Sequence, residues 1–425
     1  MPLSPLTVLI GRNGSGKSNA LDALEILARL AAGDEVRDAL DGGRKDQTPI
    51  RGGAEGCAPN GGSRFTLGVT VANAPTYAQA TQWASLDVTV QVRPDVRIIA
   101  EHFEAYLPSV KRKVTVLETV EARPDRSDVF AEVFNGKRGS NPRRAFRSTH
   151  LLTSQLPLRL GGETNVERGI VEVVDAALSA IAGVFQLDPV PHLMRDYVAE
   201  QDSTLRRTGA NLSAAVAAMR RDDREQFNQL LDIVRELPEN EIRGLEVGKG
   251  GFGEVMIALK ERRGRSSEVI PARQMSDGML RMLAIATALL SGGRGLALET
   301  TLDGVESPPL CLVLEELENG LHPSQAARVL DLVRRASSER QFQVVMTTHS
   351  PALLNALHGD DHTGVLVCER DRTAGTTTVR RLVELPGYLA MMARGRLGDS
   401  ITSGGITEAG EARPEVDVRS LLGIG

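Results

Sequence analysis

The chain has 425 residues, 41% of them hydrophobic, with a formal net charge of −5; this is an ordinary globular composition with room for two or three domain-sized units. The slightly acidic balance gives no global pull toward nucleic acid or an anionic membrane. No apolar run approaches the ~20 residues of a membrane span, no basic-then-apolar signal pattern opens the chain, and three widely spaced cysteines (Cys57, Cys311, Cys368) suggest neither a zinc site nor a disulfide framework and fit a reducing cytoplasm.

The first predicted element is a strand, from the apolar run Leu6, Val8, Leu9 and Ile10. Next comes Gly11-Arg12-Asn13-Gly14-Ser15-Gly16-Lys17-Ser18, a complete GxxxxGKS motif, and then a helical pattern of Leu21, Leu24, Leu27 and Leu30. A strand feeding a glycine-rich turn into a helix N-terminus is the setting in which backbone N–H groups cradle a triphosphate. Lys17 would reach the β- and γ-phosphates and the Ser18 hydroxyl would ligate Mg²⁺.

Gly-, Asp- and Arg-rich sequence to about residue 63 reads as loop. Period-two alternation then predicts antiparallel strands at Phe65–Val71, at Leu86–Val92 and around Val114 and Val116. From about 165 to 237 the period turns helical, with one stripe of Ile170, Val174, Ala177, Leu178 and Ile181 and another of Phe227, Leu230, Leu231 and Val234, ended by Pro238. Val255, Ile257 and Leu259 return to a strand pattern. The expected organisation is an α/β core made of 1–32 and 271–398, interrupted by a loop-rich antiparallel β lobe (33–164) and a helical lobe with return strands (165–270). Residues 291–309 read as surface loop and 399–425 as a loose tail.

The second half of the core carries the chemistry. Leu310–Leu314, Gln343–Met346 and Gly364–Cys368 read as buried parallel strands separated by helices, which is βαβ order. The first of these ends in Glu315 and Glu316. Carboxylates at that end of an open α/β sheet face the nucleotide crevice, where Glu315 would hold the metal and Glu316 would polarise the attacking water. The second ends in Thr347-Thr348-His349-Ser350, placing His349 where it can donate to a γ-phosphate. Before an almost wholly apolar helix stands Gln274-Met275-Ser276-Asp277-Gly278. Ser276 and Gly278 there offer a hydroxyl and an open N–H to a second anion; simple N-capping by Ser276 or Asp277 accounts for the same letters.

Together, GRNGSGKSN (11–19), RQMSDGMLRMLAIATALL (273–290), LCLVLEELENGLHP (310–323) and VVMTTHSP (344–351) make the chain resemble the ABC-type ATPases, within the soluble AAA branch related to RecF, SMC and the OLD nucleases. The element around Gly209, Asn211 and Leu212 resembles the G-x-N-L that precedes the helical lobe in that branch. The resemblance implies a P-loop NTPase core of ABC-ATPase type and a Mg²⁺-dependent ATPase. It also implies a head-to-tail homodimer in which Ser276 and Gly278 of one subunit cover the ATP held by Gly11, Asn13, Gly14, Ser15, Gly16, Lys17, Ser18 and Asn19 of the other. Glu318, Asn319 and His322 match the segment that communicates between the two sites, and settings such as DNA maintenance or phage defence follow by analogy. Glu315 replaces the usual Asp of this motif but keeps its charge. An earlier strand with adenine-stacking residues is usual in that branch; here either the true start lies upstream of Met1 or base contacts come from elsewhere, and the glutamine that links the insertion to the metal is unplaced among Gln79, Gln82 and Gln91.

Basic residues cluster at Lys111-Arg112-Lys113 and across Gly136–Arg147. With Phe146 as the sole interleaved aromatic, a solvated flexible loop is favoured over a DNA-binding surface. Too little chain follows His349 for an attached nuclease, so any cutting is expected of a separate effector. The rival reading is a nucleotide-sensing scaffold that binds ATP, hydrolyses little and controls a nuclease or toxin partner; a transporter subunit is disfavoured by the long insertion.

Overall fold

The computed structural model describes residues 1–43, 47–59, 61–75, 80–122, 128–236, 241–298, 310–319, 326–340, 342–371 and 373–402. Its contacts divide into two units, one gathering Met1–Lys17, Gln186–Ala297 and Cys311–Gly425, the other Ser18–Phe185 and Leu298–Leu310. Strand β1 (Leu6–Ile10) is buried along its whole length, and α1 (Lys17–Ala31) follows the glycine-rich turn.

In the 18–185 unit, α2 (Val36–Asp41) and α3 (Gly53–Cys57) occupy the segment expected as loop. Helices of five or six residues are too short to show a period. What orders the segment is Arg29 of α1, fully buried, paired with Glu25 at 2.5 Å. Its guanidinium donates to the carbonyls of Ala39 (2.9 Å) and Thr48 (2.8 Å), the compensation a buried charge requires.

Six strands follow: β2 (Arg64–Pro75), β3 (Ala80–Gln91), β4 (Arg97–Leu107), β5 (Arg112–Ala122), β6 (Asp128–Val133) and β7 (Arg143–Arg147), each antiparallel to its sequence neighbour. β4 escapes sequence alternation because an acid, Glu101, stands on its inward face with Phe103, Ala105 and Leu107. While 136–142 form neither helix nor strand, β7 corrects the expectation of a solvated basic loop over its last part, 143–147. Phe146 is fully buried there, and the Arg159 guanidinium lies 5.0 Å from its ring centre.

Helices α4 (Leu156–Arg159) and α5 (Asn165–Ala182) complete this unit. α5 opens with a capping box of Thr164 and Glu167. The sequence reads α5 as the start of a helical lobe; in the structure its stripe of Ile170, Val174, Ala177, Leu178 and Ile181 shares one core with Leu86, Phe103 and Phe146 of the sheet.

Onward in the chain are β8 (Val184–Leu187), β9 (Val198–Ala199), α6 (Leu212–Asp222), α7 (Arg224–Arg235), β10 (Glu241–Lys249), β11 (Glu254–Arg263), β12 (Ser266–Pro271) and α8 (Asp277–Ser291). After them come β13 (Cys311–Leu314), α9 (Ala326–Arg340), β14 (Gln343–Thr347), α10 (Pro351–Asn355), β15 (Val365–Arg370), β16 (Thr377–Arg381), α11 (Tyr388–Arg394) and α12 (Leu397–Thr402). The main sheet has the order β16-β15-β1-β14-β13-β8. β1 lies parallel between β14 and β15, with Leu6 opposite Val344 and Val8 opposite Val365, and β13 lies parallel to β14. These four strands are the continuous apolar runs of the sequence, as strands covered on both faces must be. A smaller antiparallel sheet of β10, β11 and β12, with β9 also paired to β11, packs on α6 through Ala214, Ala217 and Val255.

Residues 399–402, expected as tail, form the end of α12; 403–425, 299–309, Gln79, Pro238 and His322 lie outside the described residues. Among the described residues no helix is long and apolar enough to cross a membrane.

Candidate functional site at the carboxyl edge of the main sheet

Parallel register places the ends of β1, β13 and β14 side by side: Leu9 is opposite Thr347, and Leu314 opposite Met346. The glycine-rich turn, the acidic pair and His349 therefore leave the sheet at the same edge, where strand carbonyl ends and helix starts favour anionic ligands.

At the end of β1 the backbone needs its glycines. Gly11 has φ +153°, and a Cβ there would stand 2.4 Å from the Cys368 carbonyl oxygen; Gly16 has φ +94°, and its Cβ would meet the Thr377 hydroxyl at 2.4 Å. Only glycine fits both the conformation and the space. Ser15 N–H donates to Arg12 O at 3.1 Å, tightening the turn, while the buried Ser15 Oγ has no hydrogen-bond partner. Lys17 is buried, and its Nζ donates to the carbonyls of Gly11 (2.9 Å) and Arg12 (3.2 Å). Burial holds its pKa below the usual lysine value, against the pull of Cys368, Glu316, Glu315 and Glu318. An unpartnered buried hydroxyl and a desolvated ammonium on one turn fit an anionic ligand. Asn13, Gly14 and Asn19 are exposed; Ser18 and Asn19 continue α1 beyond Lys17.

At the end of β13, Glu315 is half-buried and Glu316 exposed. Glu316 has φ +47°, a left-handed backbone that costs a non-glycine residue about 1–2 kcal/mol. Three bonds hold it there. Its N–H donates to Thr347 Oγ1 at 2.8 Å, its carbonyl accepts from Asn319 N–H at 2.9 Å, and its Oε2 accepts from Asn319 Nδ2 at 2.6 Å.

At the end of β14, Ser350 caps α10 and Pro351 occupies that helix's first turn, so the chain turns away directly after His349. The His349 N–H donates to Glu318 Oε1, while the buried Oε2 of Glu318 has no partner. Burial, then the nearby Lys17 ammonium, push the His349 pKa down against Glu318 and Glu316. The imidazole is thus neutral at pH 7, with one N–H to donate.

Lys17 is therefore within electrostatic reach of Glu315, Glu316 and His349. Ser276 and Gly278 are held by a different set of contacts. Ser276 is the N-cap of α8, its Oγ accepting from Met279 N–H at 3.2 Å. Capping is thus realised at an exposed Ser276, at the end of α8 where a helix leaves its first N–H groups without intrahelical partners. Arg195 donates to the carbonyls of Arg273 and Met275 and to Asp277. The buried Asn211 ties the loop before α6, donating to Asp202 O and Thr204 O and accepting from Arg206 N–H.

Sequence reading missed the supports: Thr347 beneath Glu316, the grip of Glu318 on His349, Thr377 against Gly16, and Arg195. Strand-end position flags Thr347; nothing local flags Arg195.

A family model described as "AAA domain, putative AbiEii toxin, Type IV TA system" matches residues 6–77 and 121–355, well over half of the chain. The chain belongs to this AAA family. It is an ABC-like P-loop ATPase domain, as its four motifs imply. No curated protein matches it. Solved structures similar to it include an SMC head bound to the C-terminal winged-helix domain of ScpA (14% identity, TM-score 0.46, covering 89% of this chain and 91% of that one). Two others are the SMC head domain from Thermotoga maritima (15%, 0.34, 90% and 92%) and an SMC head with an extended coiled coil bound to the C-terminal domain of ScpA derived from Pyrococcus furiosus (12%, 0.37, 92% and 94%).

Proposed function

We propose that this domain binds ATP with Mg²⁺ at the carboxyl edge of the main sheet, hydrolyses it, and works as an ATP-gated head-to-tail homodimer that controls a partner protein. The observation carrying this reading is Glu316. An acidic residue with a strained backbone, held by three hydrogen bonds at a strand end beside a buried lysine, is the expense a catalytic position justifies.

In this reading Lys17 exchanges its two carbonyl partners for β- and γ-phosphate oxygens, with the glycine-turn N–H groups and the Ser15 hydroxyl around it. Glu315 and the Ser18 hydroxyl are hard oxygen donors of the kind Mg²⁺ takes, and the bound ion would neutralise charge on the phosphates. Glu316, oriented through Oε2 by Asn319, presents Oε1 to the attacking water and accepts its proton. Neutral His349 donates its N–H to the γ-phosphate, where it senses hydrolysis. Ser276 and Gly278 of a second copy close the other side. The family description points to a toxin–antitoxin setting, which fits a partner-controlled switch better than a free-running ATPase.

Light scattering of Glu316→Gln protein with and without ATP–Mg²⁺ tests the reading, alongside wild-type turnover. An ATP-dependent doubling of mass, lost on Ser276→Arg, together with abolished turnover, is expected. Wild-type turnover in Glu316→Gln would remove Glu316 from the mechanism. Bound ATP with neither dimer nor wild-type hydrolysis would instead favour the nucleotide-sensing scaffold.

A further inference from the structure

Arg195 reaches the Ser276 turn from about eighty positions earlier in the chain. It follows the short 3₁₀ turn Pro191–Met194, whose Met194 is buried. One guanidinium nitrogen donates to Arg273 O at 3.0 Å and Met275 O at 2.8 Å; the other meets Asp277 Oδ1 at 2.5 Å. Three acceptors within five residues are thus fixed by a single planar fork, a geometry lysine cannot reproduce. A second contact comes from the same segment, the Arg273 guanidinium lying 5.7 Å from the Tyr197 ring centre.

The bond to Asp277 also has an electrostatic result. Asp277 occupies the first position of α8, between the N-cap Ser276 and Gly278. Its side chain is 69% exposed, and an unpaired carboxylate there would repel any incoming phosphate. The Arg195 charge at 2.5 Å offsets that repulsion while anchoring the turn.

We propose that Arg195 is the positioning residue of the Ser276–Gly278 turn, holding it in the shape, and near the neutrality, needed to receive the γ-phosphate of ATP bound to a second copy of the chain. This rests on the head-to-tail reading above. Arg195 acts through residues 273–277, whose two carbonyls and one carboxylate it binds.

The test is complementation between inactive variants. In a head-to-tail dimer, Lys17→Ala protein keeps a sound Ser276 turn and Arg195→Ala protein keeps a sound phosphate loop. Each alone should turn over ATP at least tenfold more slowly than wild type. Arg195→Ala should bind fluorescent ATP within about twofold of wild type, and Arg195→Lys should recover only part of the lost kcat. Mixing Lys17→Ala with Arg195→Ala should restore activity toward the one-intact-site level, as should mixing Lys17→Ala with Ser276→Arg. Wild-type kcat in Arg195→Ala overturns the proposal. So does restoration by Ser276→Arg but not by Arg195→Ala, which would mark Arg195 as a folding brace. If neither mixture regains activity, the head-to-tail reading itself fails and takes this proposal with it.

Discussion

The main-chain N–H of Glu316 is held at 2.8 Å by the side-chain hydroxyl of Thr347, on the neighbouring strand. A buried side chain of β14 thereby sets the backbone of the residue that would activate water.

Thr347→Ala should therefore lower turnover about tenfold or more with little change in ATP affinity, at a stability cost of about 1 kcal/mol for one lost hydrogen bond. Thr347→Ser, which keeps the hydroxyl, should recover most of the rate. Steady-state hydrolysis and nucleotide titration on the three proteins decide it; equal kcat in all three would detach Thr347 from the site.

His349 should set an acid limb in the pH–rate profile. Its pKa lies below the ordinary 6.5, through burial and the Lys17 charge, so the ring is neutral at pH 7 and gains a proton only on the acid side of 6.5. Protonation would draw it toward Glu316 and Glu318 and oppose Lys17. The kcat of wild type should fall below that limb, and His349→Gln, which retains an N–H donor without a titrating ring, should lack it. An unchanged limb in the variant would assign it to another group.

Glu101 makes the 18–185 unit sensitive to alkali. Its side chain accepts from the N–H groups of Leu152 (2.7 Å) and Thr153 (2.6 Å), yet complete burial outweighs these bonds and pushes its pKa from 4.5 up to about 7. Between those values the folded state holds a proton that the unfolded state has released. The contribution is therefore fully present below pH 4.5 and lost as pH rises through 7, by about 3 kcal/mol in all. Melting curves at pH 5 and pH 8 should show a smaller difference for Glu101→Gln than for wild type; equal differences would rule the carboxyl out.

Arg334 of α9 clasps Asp361 at 2.6 Å and donates to Ala356 O at 2.9 Å. Although burial opposes ionisation of Asp361, the Arg334 bond and the His358 N–H keep its pKa below 3.8. Stability from this group is present above 3.8 and lost as pH falls through the depressed value. Arg334→Ala, which strands the carboxylate, should cost about 2 kcal/mol, read as a lowered urea midpoint at pH 7; a midpoint matching wild type would show the clasp to be incidental.

What the sequence makes legible is what is buried on both faces. β1, β13, β14 and β15 announce themselves as largely apolar runs; the GxxxxGKS letters then single out Lys17, and position at a strand end singles out Glu315, Glu316 and His349. Local pattern fails where a tertiary partner decides. β4 hides behind the inward Glu101, whose partners are the distant Leu152 and Thr153. α2 follows from the Arg29 bonds, β7 from an inward Phe146 among arginines, and the stripe of α5 does not say which sheet it will cover. Register, which sets Thr347 under Glu316, is invisible until β13 and β14 lie together.

The strand that feeds the phosphate loop is among the first segments made on the ribosome, yet both its hydrogen-bonding neighbours, Val344–Thr347 and Val365–Val367, come from the last quarter of the chain. At ordinary translation rates of about 5–20 residues per second, β1 waits on the order of tens of seconds for them. The β2–β7 meander pairs only adjacent strands, and such local contacts form early. A nascent chain is therefore expected to form this antiparallel sheet first and the β1 pairings last, so nucleotide binding at the site proposed above should appear only once synthesis is complete.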